Sequence, residues 1–210
     1  MKTDDLIELL AKDSVPRRFR SVLAWAVASG IIIAAIVFSV AIGFRPDISE
    51  AVKSGRFLFK FVVTVSLAVT AIWVTLSVGR PDGRLAHRGL ALATAPALLA
   101  CAAVLELLVL PESQWTNHLV GHNSRLCLTL IPLLSIGPLA CLIVALRAGA
   151  PSSPGVAGAV AGLAASGIAA TFYAANCTDD SALFVVTWYP MAILIVTTAG
   201  YLVGRKVLKW

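Results

Sequence analysis

The sequence predicts an all-α membrane protein, a bundle of six transmembrane helices preceded by a short cytoplasmic amphipathic helix at the N-terminus. Composition is the first reason, because 59% of the 210 residues are hydrophobic and only 13% are charged, far from the balance of a soluble domain. The second is six apolar runs, at 21–44, 61–78, 89–110, 126–146, 155–175 and 183–204. Each approaches the length that crosses about 30 Å of hydrocarbon. The third is the shortness of what lies between them. The longest stretches outside the runs are about twenty residues at the start and about fifteen in the middle, too little for a soluble catalytic domain within these residues.

Residues 1–20 are read as a cytoplasmic segment of their own. Thr3 can cap a helix, Asp4 and Asp5 occupy its first turn, and Pro16 stops it. Leu6, Ile7, Leu9 and Leu10 fall on one side, with Asp5, Glu8 and Lys12 on the other. So short a helix is marginal alone in water, so its leucine face is expected to fold against a partner helix, the bilayer surface or the bundle itself. Its acidic residues disfavour a bare anionic membrane.

Arg17, Arg18 and Arg20 precede the first run, which is too long for a removable signal peptide and lacks the small-residue cleavage pattern. Lysine and arginine are retained on the cytoplasmic side of a membrane. With the N-terminus inside, inner segments hold twelve of these residues and outer segments five, namely Arg45, Lys53, Arg56, Lys60 and Arg125. Both termini are therefore expected in the cytoplasm of a bacterial cell, with 21–204 as the membrane domain and 205–210 as a basic tail. The net charge of +6 follows from helix flanks and not from nucleic-acid binding. The first outer connection runs against the rule by carrying four of the five outer cations. Lys60 and Glu106, near helix ends, are expected to snorkel and to reach headgroup water.

This topology sorts the four cysteines. Cys127 and Cys177 fall at the outer face, which in bacteria is the oxidising periplasm, where two nearby thiols tend to form a disulfide. They lie fifty residues apart in sequence, and a direct bridge requires their Cα atoms within about 7 Å. Cys101 and Cys141 fall within the membrane and read as small apolar packing residues. His118 and His122, in the third-to-fourth loop, and Asp179 and Asp180 join the outer cysteines as metal-capable groups. The set Cys127, Cys177, His118, His122, Asp179 and Asp180 could take a soft or borderline cation transiently. Alternatively, the histidines are solvated loop residues and the aspartates cap the sixth helix, a role that Ser181 can also fill.

Other features read as scaffold. Pro96, Pro132, Pro138 and Pro190 lie within the apolar runs and permit kinks. Gly158 and Gly162 have GxxxG spacing, suited to close helix approach inside the bundle or in a dimer. Trp73, Trp115, Trp188, Tyr189, Tyr201 and Trp210 are placed as interfacial anchors. No nucleophile elbow, metalloprotease motif or phosphate-binding loop appears, so an enzyme is not expected, nor is a resident cofactor. The spans carry essentially no charge at mid-depth and no obvious inverted repeat, which disfavours a transporter. A cysteine pair on one side and a partner-seeking helix on the other make the layout of a transmembrane sensor.

Several stretches carry a resemblance to a known family: TDDLIELLAKDSVP before the first span, RPDI from Arg45, SRLCLTLIPLLSIGPLA, YAANCTDDSALFVVTWYPMAI and the terminal GRKVLKW. Over essentially its full length the chain resembles the NrsF-type membrane anti-sigma factors. The resemblance implies an inner-membrane protein whose N-terminal segment sequesters an extracytoplasmic-function sigma factor. It also implies a periplasmic cysteine pair, Cys127 and Cys177, needed for stress sensing, and oxidants or thiol-reactive heavy metals are the expected agents. The sigma-binding segment would run from Asp4 to Pro16, with Asp4, Asp5, Leu6, Ile7, Leu9, Leu10, Asp13 and Pro16 as its contact residues. A thiol- or metal-handling membrane protein using the same cysteines is the alternative, and a purely structural bundle is a third.

Overall fold

In the computed structural model, residues 16–80 and 89–209 are described, and the expected amphipathic helix at 3–15 lies outside them. Pro16 is the first residue of α1 (Pro16–Ala41), the position where a missing N–H breaks no helical bond. α1 ends at Gly43, whose φ of +77° suits a residue without Cβ and whose N–H closes on the Phe38 carbonyl at 2.8 Å. A short α2 (Ile48–Ala51) leads to α3 (Gly55–Val78), and a 3-10 turn at Leu90–Ala93 leads to α4 (Thr94–Val109). Then follow α5 (Glu112–Val120), α6 (Ser124–Arg147), α7 (Pro154–Ala174) and α8 (Ala182–Val207). All described secondary structure is helical, and six helices are long and apolar enough to cross a membrane.

Two helices differ from the sequence expectation. α3 begins at Gly55 instead of residue 61, so Arg56 and Lys60 lie on a helix and not in a connection. A charged residue ends an apolar run but not a helix, since lysine and arginine are good helix formers. α5 occupies what reads as loop, because its nine residues ESQWTNHLV are too polar to register as a span. Pro111 extended before it, Glu112 in its first turn and Gly121 at φ +58° after it are its start and stop signals.

α7 is the axis of the bundle. It is built of alanine and glycine with no charged residue, and fifteen of its 21 residues are buried. A helix apolar on every side belongs inside, and small side chains let its neighbours approach backbone to backbone. A Cβ on Gly158 would collide with the Gly200 carbonyl oxygen of α8, and one on Gly162 would lie 2.8 Å from the Val196 carbonyl oxygen. Gly167 meets α3 in the same way, with Ala68 Cα 2.8 Å from a Cβ there. The GxxxG spacing thus serves internal packing. Outer helices turn their apolar faces outward, as Ile32, Ile36 and Val40 of α1 and Leu105, Leu108 and Val109 of α4 show. Hydroxyls within the spans, such as Thr64, Thr75, Ser135 and Thr171, donate to the carbonyl four residues back and need no partner helix.

The core divides between the two ends of the bundle. One cluster joins Phe19, Val78, Leu146 and Leu208, which places the start of α1 and the end of α8 at the same end. The other joins Phe38, Cys127, Ile131, Tyr173, Cys177, Phe184 and Tyr189 and defines the cysteine end. Tyr189 is therefore a core residue and not an interfacial anchor, with its ring 5.9 Å from that of Tyr173. Cys101 is exposed on the outer face of α4 and Cys141 is half-buried, so only the latter contributes to packing as expected of a small apolar residue.

Replacing Gly158 by valine forces α7 and α8 apart where their backbones meet. The expected loss is about 1–3 kcal/mol of resistance to unfolding, the usual range for overpacking. Denaturant titration in mixed detergent micelles measures it, and an unchanged midpoint would contradict this packing.

Candidate functional site

The site is built around the connection between α7 and α8, residues 175–181. Its backbone leaves α7 with the N–H groups of Asn176 and Cys177 both donating to the Tyr173 carbonyl, each at 3.0 Å. Two buried cations receive the rest of the loop. The Lys60 ammonium, on α3 and 1% exposed, donates to the Cys177 carbonyl at 2.9 Å and the Asp179 carbonyl at 3.3 Å, and pairs with Asp180 at 2.6 Å. The Arg45 guanidinium, just past α1, donates to both Asp180 carboxylate oxygens at 3.0 and 3.1 Å and to the Cys177 carbonyl at 3.3 Å. Its other edge forms a two-point fork on Asp47 at 2.7 Å. That fork is the main reason the Arg45 guanidinium is held charged well above its ordinary range and the Asp47 carboxyl below its own.

The three carboxylates nearest the loop all link elements. Asp179 accepts from the backbone N–H groups of His122 and Asn123 and from the Asn123 amide, at 2.8–3.0 Å, and so secures the start of α6. Asp180 serves Lys60 and Arg45. Glu106 of α4 accepts from the Ser181 hydroxyl at 3.0 Å and the Leu183 N–H at 3.1 Å, and lies 3.5 Å from Arg56. Among the expected caps of the sixth span, Ser181 is the one that acts, accepting from Leu183 N–H at 3.2 Å, while neither aspartate does. Lys60 and Glu106 do not reach outward as expected; a burial cost of several kcal/mol per ion is offset here by opposite charge and hydrogen bonds. All four cations of the Arg45–Lys60 stretch are ion-paired, Lys53 doing so on the surface with Glu50 at 2.9 Å.

Beneath the ion-paired loop lie the two thiols. Cys127, the fourth residue of α6, is 0% exposed and Cys177 is 1% exposed; both are free and belong to one apolar cluster with Tyr173 and Tyr189. The Tyr173 hydroxyl donates to the Asn123 carbonyl at 3.2 Å, tying α7 to the start of α6 beside them. The Cys177 sulfur lies 3.7 Å from the Asp179 carbonyl oxygen. Burial pushes the Cys177 thiol above its ordinary value, against the pull of Lys60, so it is protonated at neutral pH.

The six metal-capable residues are divided between two settings. The cysteines are in the core, and His118, His122, Asp179 and Asp180 border a surface cleft of about 310 Å³, with Asp180 already committed to Lys60 and Arg45. The His122 side chain is 95% exposed, with Nδ1 3.7 Å from Asp179. Among the described residues no three histidine, cysteine or acidic side chains are grouped to hold a metal ion. Asn123 and Tyr173 are site residues that sequence reasoning did not single out, and Arg45, Lys60 and Glu106 were noted there only as charges at the ends of spans. Opposite charges at the ends of apolar runs on the same side of the membrane were the available signal.

Fold and site define a multi-span helical membrane protein whose ionic contacts gather at one end, over a pair of buried thiols. The chain belongs to the NrsF family, described as negative regulator of sigma F, whose model matches residues 10–210. It is 30% identical to the anti-sigma-F factor NrsF of Caulobacter vibrioides (strain NA1000 / CB15N) over the whole of both chains. It is 27% identical to the probable anti-sigma-F factor NrsF of Azospira oryzae (strain ATCC BAA-33 / DSM 13638 / PS), again over the whole of both. No solved structure matches the chain.

Changing Asp180 to alanine strips Lys60 of its carboxylate while leaving the ammonium buried. Breaking a buried pair in this way is expected to cost about 3 kcal/mol. Unfolding in detergent reads the loss, and adding Lys60→Met should recover part of it.

Proposed function

We propose that this chain is an inner-membrane anti-sigma factor that holds an extracytoplasmic-function sigma factor in the cytoplasm and releases it when Cys127 and Cys177 react in the periplasm. Membership of the NrsF family carries the regulatory half of this reading. The presence of both thiols in one cluster supports the sensory half. In this reading residues 1–20 form the sigma-binding segment, 21–204 the membrane sensor and 205–210 a cytoplasmic tail. It has no catalytic step of its own and no direct contact with nucleic acid.

The topology rests on the charge distribution, twelve lysines and arginines on the inner segments against five on the outer. Cations of the first outer connection are matched by Asp47, Asp180, Glu106 and Glu50, so the folded outer face carries little uncompensated charge from that connection.

Sensing follows from packing. Protein interiors are close-packed, and adding atoms to a filled core displaces backbone. A two-electron oxidant that joins the thiols takes up two electrons and two protons. A thiol-binding heavy metal displaces the thiol protons and adds an ion. Either change alters a cluster in which both sulfurs are already fully enclosed. A coupling of about 1–3 kcal/mol between this end and the sigma-binding segment changes affinity roughly 5- to 150-fold.

Two measurements test the halves separately. Leu6→Asp with Leu10→Asp should abolish co-purification of the sigma factor while the bundle still inserts; persistent co-purification would move the contact elsewhere, such as to residues 80–88. Replacing Cys127 and Cys177 together by serine should remove induction of a sigma-dependent reporter by metals or oxidants. Full induction in that variant would end the sensing role.

A further inference from the structure

The Cys177 loop is bound to the segment following α1 by more contacts than a simple cap requires. The Arg45 N–H donates to the Ala175 carbonyl at 3.2 Å, and the Asn176 amide donates to the Gly43 carbonyl at 3.0 Å. The Arg45 guanidinium adds its bonds to the Cys177 carbonyl and to Asp180. Phe38, in the last turn of α1, packs edge-on against Phe44 at 5.2 Å and lies 5.8 Å from Phe172 of α7. The loop and the end of α1 are thus held together on both sides of Cys177.

α1 is suited to carry a displacement. It runs 26 residues, about 39 Å at 1.5 Å per residue. It has no internal proline, unlike α6 with Pro132 and Pro138 or α8 with Pro190. It sits at the edge of the bundle, packed chiefly along α6, with much of its surface turned outward. Its far end is Pro16, where residues 1–15 join directly.

We propose that Arg45 is the positioning residue that couples Cys177 to α1, so that a change at the thiol moves α1 and the segment attached to its far end. The proposal rests on the reading of Cys177 as a sensor. It assigns α1 the transmitting role, because α1 is the span that joins both the Cys177 loop and residues 1–15. Lys60 grips the same carbonyl from α3, which lies against the central α7 and provides the fixed side. Arg45 is the grip on the side free to shift.

The test uses the full chain in liposomes with Cys101→Ala and Cys141→Ala, which leaves Cys127 and Cys177 as its thiols. Nitroxides are attached through p-acetylphenylalanine at exposed Ser21, near the start of α1, and exposed Ser152, between α6 and α7. Mercuric chloride is the thiol probe, and mass spectrometry counts the bound metal. Mercury should shift the distance between the labels in the parent chain. In R45Q it should bind equally and leave the distance unmoved. An R45Q shift equal to the parent's, or a parent that binds mercury without any shift, overturns the proposal. If R45Q does not accumulate in the membrane, R45K with N176A carries the same test. That variant keeps a cation against Asp180 but loses the fork and the Gly43 bond, and the shift should fall by about half or more. An undiminished shift there also overturns the proposal. Failure of the sensing reading shows differently, as reporter induction that persists when both cysteines are serine.

Discussion

One carbonyl and one carboxylate, those of Cys177 and Asp180, are shared between two buried cations, and much of the cysteine end depends on that arrangement. Lys60 arrives from α3 and Arg45 from the end of α1, so the two acceptors hold three elements in register. Neither cation would stay buried without them, because an unpaired ion in such a setting costs several kcal/mol. Conversely, the loop has little apolar surface with which to hold itself down. The carboxylates of Asp179 and Glu106 extend the same scheme to α6 and α4. The result is a polar lid joining most of the bundle over the apolar cluster that contains both thiols.

The membrane class and the six spans were legible in the sequence because apolar runs of membrane length have few other uses. Boundaries were less legible where a charge interrupts a run. Lys60 looked like the edge of a span when it is a buried residue in the second turn of one, and α5 was hidden by the polarity of Asn117, His118 and their neighbours. Sequence position placed Cys127 and Cys177 at one face and depth; coordinates supplied their common burial. The ion pairs were out of reach for a physical reason. Lys60 and Asp180 stand 120 positions apart, and no local propensity encodes which carboxylate a buried cation will find. Tyr189 misled for a similar cause, since an amphipathic side chain near a helix end suits an interface and a core equally until its neighbours are known.

The two ends of the molecule obtain their order differently. At the middle and at the end where α1 starts and α8 finishes, α7 brings α3 and α8 close through glycine and alanine, with contacts that are short-range and nonpolar. At the cysteine end, charge and directed hydrogen bonds take over. Contacts of the first kind resist small changes in composition poorly but are indifferent to chemistry at the surface. Those of the second kind respond to any event that moves a carbonyl by a fraction of an ångström. A membrane protein that must be rigid along most of its length and responsive at one end is well served by this division.

The pairing of Arg45, Arg56 and Lys60 also bears on the order in which the protein is made. Their distant partners, Glu106 and Asp180, lie later in the chain, so when the first two spans enter the bilayer Arg56 and Lys60 are without their carboxylates and Arg45 lacks one of its two. Only Asp47 and Glu50 are then at hand, for Arg45 and Lys53. In the topology proposed above, the early orientation falls to Arg17, Arg18 and Arg20 before the first span and to the arginines after the second. Burial of Lys60 has to wait for residues 175–181, which makes the last hairpin the step that closes the cysteine end of the bundle.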